Sequence, residues 1–132
     1  MLEIKLNKKT TSLWQNIWNI QTNKLNQIKK TVKRWKRNPN ISIPNEKKLN
    51  RARIGHTRMT HGYLMAKEDP PICQTCVTTL TIKHIFDECS SFQTQRKELN
   101  ISHDVRTNFG PYPENEINTI EFFKATKLLN LL

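Results

Sequence analysis

Three cysteines and one histidine fall within a seventeen-residue segment as Cys73-x2-Cys76-x7-His84-x4-Cys89. Two thiols separated by two residues can face one ion across a tight turn, and a histidine with a third cysteine completes the shell. Zinc takes four sulfur and nitrogen ligands at ~2.0–2.3 Å, and a Cys3His set closes its coordination. A closed shell leaves no position for a reacting water, so such a centre is structural and not catalytic. Three thiolates with Zn²⁺ leave one net negative charge, which the neighbouring Lys83 can offset. Every cysteine of the chain is used. Iron–sulfur ligation favours four thiolates and fits less well. The plain alternative is three buried free thiols beside a surface histidine.

The spacing makes a geometric demand. Residues five apart on a straight α-helix point about 140° away from each other. A helix carrying His84, Ile85 and Phe86 must therefore end, or bend, before Cys89. Pro70-Pro71 forces an extended entry into the first cysteine pair.

The remaining elements read as helices. Ser12 and Gln15 are spaced as a capping box. From there Trp14, Ile17, Trp18, Leu25, Ile28 and Val32 form one apolar stripe at helical intervals. Such a stripe fits packing against other helices better than stacking of Trp14 or Trp18 on bases. Pro39 and Pro44 break the pattern. Asn45 is placed to cap a helix over 46–54, with Leu49, Ala52 and Ile54 inward, Arg51 and Arg53 partly outward, and Gly55 ending it. A short helix from Thr57 or Thr60 through Ala66 follows. Further helices are expected over 92–99 and from Ile117 to Leu131, with loop over 100–113. Ile41–Ile43 and Leu80–Ile82 are weak strand candidates. The expected fold is mainly α: a small helical domain with an irregular zinc knuckle in its middle. Residues 1–45 form a basic helix and linker, and residues 46–132 the helical zinc-binding region, packed as one unit overall.

Composition limits the core. Hydrophobic residues make up 36% of the 132, and the three glycines add little against a typical 45–50%. A metal cross-link would help so small a core. No apolar run approaches the ~18 residues of a membrane span. The first residues lack a secretory h-region, and an odd cysteine count makes no complete disulfide framework. The expectation is an intracellular protein of the nucleus or cytoplasm, not secreted and without a membrane partner.

The net charge of +11 is unevenly placed. Residues 1–70 hold sixteen basic and four acidic residues, and residues 71–132 hold six and seven. Lys24, Lys29, Lys30, Lys33, Arg34, Lys36 and Arg37 form the peak, continued by Arg51, Arg53 and Arg58. A one-sided basic block is the electrostatic footprint of a nucleic-acid partner. Lys, Asn and Ile together supply 42 residues, so the bias of an AT-rich coding sequence accounts for some of it. Catalysis finds no support. Two-metal nucleases need several convergent carboxylates, and the first 45 residues contain only Glu3. No Gly-rich phosphate loop is present. His56, His61 and His103 stand outside the ligand set, and packing or helix-end roles fit them better than catalysis.

Three segments share a specific pattern. Arg53-Ile54-Gly55-His56-Thr57-Arg58-Met59-Thr60-His61-Gly62-Tyr63-Leu64, Glu68-Asp69-Pro70-Pro71-Ile72-Cys73 and Thr81-x2-His84-Ile85-x3-Cys89 resemble the corresponding motifs of jockey-like non-LTR retrotransposon polyproteins. Trp14-x3-Trp18 resembles the stretch that follows the RNase H domain there. Ser90 departs from the family's proline after the last cysteine. The resemblance spans about residues 10–132. It implies a zinc-binding tail behind reverse transcriptase and RNase H, with element RNA or target DNA and those two domains as partners. It also implies that the polymerase and nuclease centres lie on other sequence, so the chain is expected to be no enzyme by itself. Two roles follow as expectations: a zinc-stabilised nucleic-acid-binding segment, or a structural tail that caps the RNase H domain, in either case a fragment of a longer or decayed reading frame.

Overall fold

A computed structural model describes the backbone of residues 2–132 and the side chains of residues 7–132. Helices dominate, as the apolar spacing predicts. In chain order they are α1 (Leu2–Asn19), α2 (Lys24–Ile28), α3 (Ile43–Ile54), α4 (Arg58–Ala66), α5 (Gln93–Glu98), α6 (Val105–Phe109) and α7 (Pro113–Ala125). The described strands are β1 (Ile72–Cys73) and β2 (Thr78–Thr79), an antiparallel hairpin pairing Ile72 with Thr79 and Cys73 with Thr78. A π-helical turn spans His84–Glu88, and 3-10 turns cover Ser90–Phe92 and Leu129–Leu131.

The first helix departs most from expectation. It starts at Leu2, runs through Ser12, and stops at Asn19 instead of continuing to Val32. Ser12 therefore lies inside the helix. Gln15 leaves its capping role and binds the following loop, donating to the Lys30 carbonyl at 2.9 Å and accepting from the Val32 amide at 2.9 Å. The break falls where Asn23 caps α2, its side chain accepting from the Asn26 amide at 2.8 Å. An asparagine that satisfies a new helix start competes with extending the old one. Trp18 pins the two together, donating from its indole to the Lys29 carbonyl at 2.7 Å. The expected stripe thus divides: Ile28 reaches the core, Trp18, Leu25 and Val32 are half-buried, and Trp14 and Ile17 stay exposed, as do the neighbouring Leu13 and Ile20.

α3 begins at Ile43, three residues before the expected position, because Ser42 supplies the cap and Pro44 is accommodated in the first turn. Gly55 ends it in the left-handed conformation, φ 73°, as the sequence predicts. Thr57 and Thr60 cap α4 reciprocally. The expected strands at 41–43 and 80–82 do not form. Ile41 is a buried loop residue, Ile43 opens α3, and Ile82 enters the turn ahead of His84. The loop expected over 100–113 contains α6, capped by Asp104 and too short to show a period. The closing helix ends at Ala125, six residues early, where Lys127 turns left-handed at φ 61°.

The core gathers around Phe86, with Phe122 at 4.6 Å, Phe109 at 4.8 Å and Phe123 at 5.0 Å between ring centroids. Leu49, Ala52, Ile85 and Ile120 surround these rings. Ile54, expected inward, is 52% exposed, and Arg53, expected partly outward, is 7% exposed. The reversal has a polar cause. Arg53 donates to the Phe109 carbonyl at 2.7 Å and to Asn50 at 2.8 Å, and meets the Glu116 carboxylate at 3.4 Å. Trp35 covers its guanidinium at 5.1 Å. Arg53 thereby ties α3 to the C-terminal end of α6 and to α7, where helix carbonyls favour a cation. Burial lowers its pKa and raises that of Glu116, while the pairing works against both shifts.

Arg53→Ala leaves Glu116 buried without its partner, which costs about 3–5 kcal/mol. Urea unfolding should read a loss of that size, whereas Arg51→Ala, at an exposed position, should lose far less.

Candidate metal centre

The four residues singled out by spacing come together. One ligand atom from each of Cys73, Cys76, His84 and Cys89 lies within 4.8 Å of the others. The Cys89 Sγ stands 3.7 Å from the Cys73 Sγ and 3.9 Å from the Cys76 Sγ. Two sulfurs on a tetrahedral ion with bonds of about 2.3 Å lie about 3.8 Å apart, so the sulfur spacing fits coordination. A disulfide would need them near 2.05 Å.

Each ligand is delivered by a local device. Cys73 ends β1 and Cys76 lies in the hairpin turn. The turn closes by a bond from the Val77 amide to the Cys73 carbonyl at 2.8 Å. Val77 takes φ 54° there, a left-handed conformation unusual for a β-branched residue. The backbone amides of Cys76 and Thr75 point at the Cys73 sulfur. The Cys76 amide first, then His84, brings the Cys73 thiol down to about 6. Burial instead pushes the Cys89 thiol up.

The required bend before Cys89 is a π-helical turn. The Cys89 amide donates to the His84 carbonyl at 2.7 Å, an i→i+5 bond. Widening the turn by one residue brings positions five apart to the same side. Arg96, buried behind it, donates to the Ile85 carbonyl at 2.8 Å and to the Cys89 carbonyl. It satisfies carbonyls that the wide turn leaves free and brings positive charge next to the thiolate cluster. Lys83, expected in that role, is exposed and pairs with Glu88 at 3.8 Å.

His84 is buried, and its two nitrogens differ. Nδ1 meets the Glu88 carboxylate at 3.3 Å and Thr78 Oγ1 at 3.5 Å. Nε2 is buried with no hydrogen-bond partner. Burying an imidazole nitrogen that way is costly unless it ligates. The carboxylate on the far nitrogen is the usual outer partner of a metal-bound histidine. The donor set therefore fits a bound metal ion, with Nε2 as ligand. Nothing in the spacing of Glu88, Thr78 or Arg96 marked them as supports.

The basic residues are less uniform than the charge map implied. Lys24, Lys30, Lys33, Arg34, Lys36 and Arg58 are exposed. Lys29 turns inward, its ammonium bound to the carbonyls of Thr31 at 2.6 Å and of Lys33 and lying over Trp35. Arg37 is held by Glu46 and the Ile41 carbonyl, both at 2.7 Å. Arg51 reaches the Leu132 carbonyl at 3.1 Å, and Arg53 is buried. His103 pairs with Asp87. Among the described residues, no helix is long and apolar enough to cross a membrane. No family model, curated protein or solved structure matches this chain.

Metal analysis of the purified chain should find one equivalent of a divalent ion that Cys76→Ser abolishes; an undiminished content in that variant would refute the ligand set. In the metal-free protein at neutral pH, iodoacetamide should modify Cys73 before Cys89, and its rate at Cys73 should be half-maximal near the thiol's pKa of about 6 and level off above it. Metal should protect all three thiols, as peptide mapping by mass spectrometry will show.

Proposed function

We propose that the chain is a zinc-stabilised nucleic-acid-binding segment of a non-LTR retrotransposon reverse transcriptase–RNase H polyprotein, without catalysis of its own. The resident ion is taken to be zinc because three thiolates and one imidazole in a closed four-ligand set suit that metal best. The cluster of exposed cations at Lys30, Lys33, Arg34 and Lys36 carries the binding reading. These side chains project from the irregular segment after α2, whose backbone is tied to α1 by Gln15 and Trp18. The nucleic-acid partner would be element RNA or target DNA. The retrotransposon assignment rests on the Arg53–Leu64 and Cys73–Cys89 motifs.

A second reading has its own observation. Leu13, Trp14, Ile17 and Ile20 give α1 an exposed apolar side, 56–78% accessible. An uncovered face of that kind suits a protein partner such as the RNase H domain, making the chain a docking tail.

A salt titration separates the two. Each neutralised phosphate contributes a slope of about −0.7 (single strand) to −0.9 (duplex) in log K against log salt. Four contacts then cost roughly 50- to 150-fold in affinity between 50 and 200 mM salt. Replacing Lys30, Lys33, Arg34 and Lys36 by Gln should flatten the slope while leaving the metal content and helicity unchanged. An unchanged slope would reject these residues as phosphate contacts, and feeble binding at every salt concentration would favour the docking tail.

A further inference from the structure

The open cleft between α1, α2 and the α3–α4 turn has a volume of about 580 Å³, within the range of small-ligand sites. Its lining mixes aromatic rings and one cation with the aliphatic Leu25 and Ile54 and the polar Thr22 and Asn23. Trp18 contributes from α1, Lys24 from α2, His56 from the α3–α4 turn and His61 from the first turn of α4. The two imidazoles stack at 4.1 Å between centroids and 16° between planes. His61 is fixed by Thr60, whose hydroxyl lies 2.8 Å from Nδ1, while His56 is exposed. Burial, then His56 and Lys24 beside it, lowers the pKa of His61 and so disfavours its charged form. Gly55 makes room for the cation. A Cβ there would lie 2.8 Å from the Lys24 Cδ, and the φ of +73° already disfavours a side chain.

We propose that this cleft holds one unpaired nucleobase against the open face of His56, with the adjoining phosphate on Lys24. The inference rests on the nucleic-acid reading and narrows its ligand to single strands. Histidine rings are among the platforms on which splayed-out bases stack, and a paired base has no free face to offer. Stacking needs a ring that does not swing away. The Thr60–His61–His56 series provides one, with charge for the phosphate at the cleft's lining. Trp18 spends its indole N–H on the Lys29 carbonyl, so it contributes surface to the cleft and no donor.

The test is fluorescence anisotropy on the full metal-loaded chain with three probes of equal length: single-stranded oligothymidylate, an abasic strand and a duplex. The wild type should prefer thymidylate to the abasic strand by roughly 5- to 150-fold, the range for stacking one base, and should prefer it to the duplex. His56→Ala should erase the preference, and His56→Tyr, which keeps an aromatic face, should restore it. Lys24→Gln should weaken thymidylate and abasic binding alike. Equal binding of thymidylate and abasic strands by the wild type, or a preference that survives His56→Ala, overturns the base slot while leaving phosphate binding at Lys30–Lys36 standing. No binding of any probe at low salt overturns the slot and the nucleic-acid reading together.

Discussion

His84 and Cys89 share one centre only because the backbone between them widens by a residue. The Cys89 amide reaches the His84 carbonyl at 2.7 Å instead of the carbonyl one position later. That single bond brings together ligands that a regular helix would send about 140° apart. Much of the middle of the chain is organised around it. The hairpin turn must bring Cys73 and Cys76 to the same point, which places Val77 at φ 54°. Arg96 must lie against the carbonyls of Ile85 and Cys89. Ile85 and Phe86, carried on the same turn, enter the core. The candidate ligands and the core packing are thus coupled through five residues, so an ion bound there would contribute folding free energy to the helical assembly.

Arg53 is the second organising group, and it works by a different force. A buried guanidinium needs partners for its donors, and it finds them on three elements: Asn50 in α3, the Phe109 carbonyl in α6 and Glu116 in α7. A buried ion pair of this kind gives little net stability over apolar packing, but losing either partner is costly. Its value here is geometric, since it sets how α3 and α7 meet the end of α6. Around it the aromatic cluster of Phe86, Phe109, Phe122 and Phe123 supplies the burial that composition made scarce.

The two halves of the chain divide their tasks along the same line as their charge. The basic half has few residues in the core and holds itself by side-chain-to-backbone bonds, such as Trp18 to Lys29 and Gln15 to Lys30. Lys30, Lys33, Arg34 and Lys36 are therefore presented on irregular backbone and not on the long helix that the apolar stripe suggested. The near-neutral half concentrates the metal ligands and the aromatic rings. Exposed cations on one half thus stand beside a small aromatic core and a Cys3His group on the other.

The sequence by itself determined the helical class, the C-terminal ends of α3 and α4 and the four residues that come close enough to hold a metal ion. Each of these depends on local chemistry, as with Gly55 at a left-handed cap and thiols spaced for one ion. Even the bend before Cys89 was legible, because helix geometry alone demands it. Tertiary structure decided the rest. It broke the apolar stripe at Asn19, turned Arg53 inward and Ile54 outward, and folded the Lys29 ammonium back onto the carbonyls of its own loop. It also chose Glu88 and Arg96 as supports of the centre. Periodicity counts apolar positions, but it does not know which buried carbonyl or carboxylate will need a donor. Those demands arise only when distant segments meet, and at these positions they outweighed helical propensity and residue type.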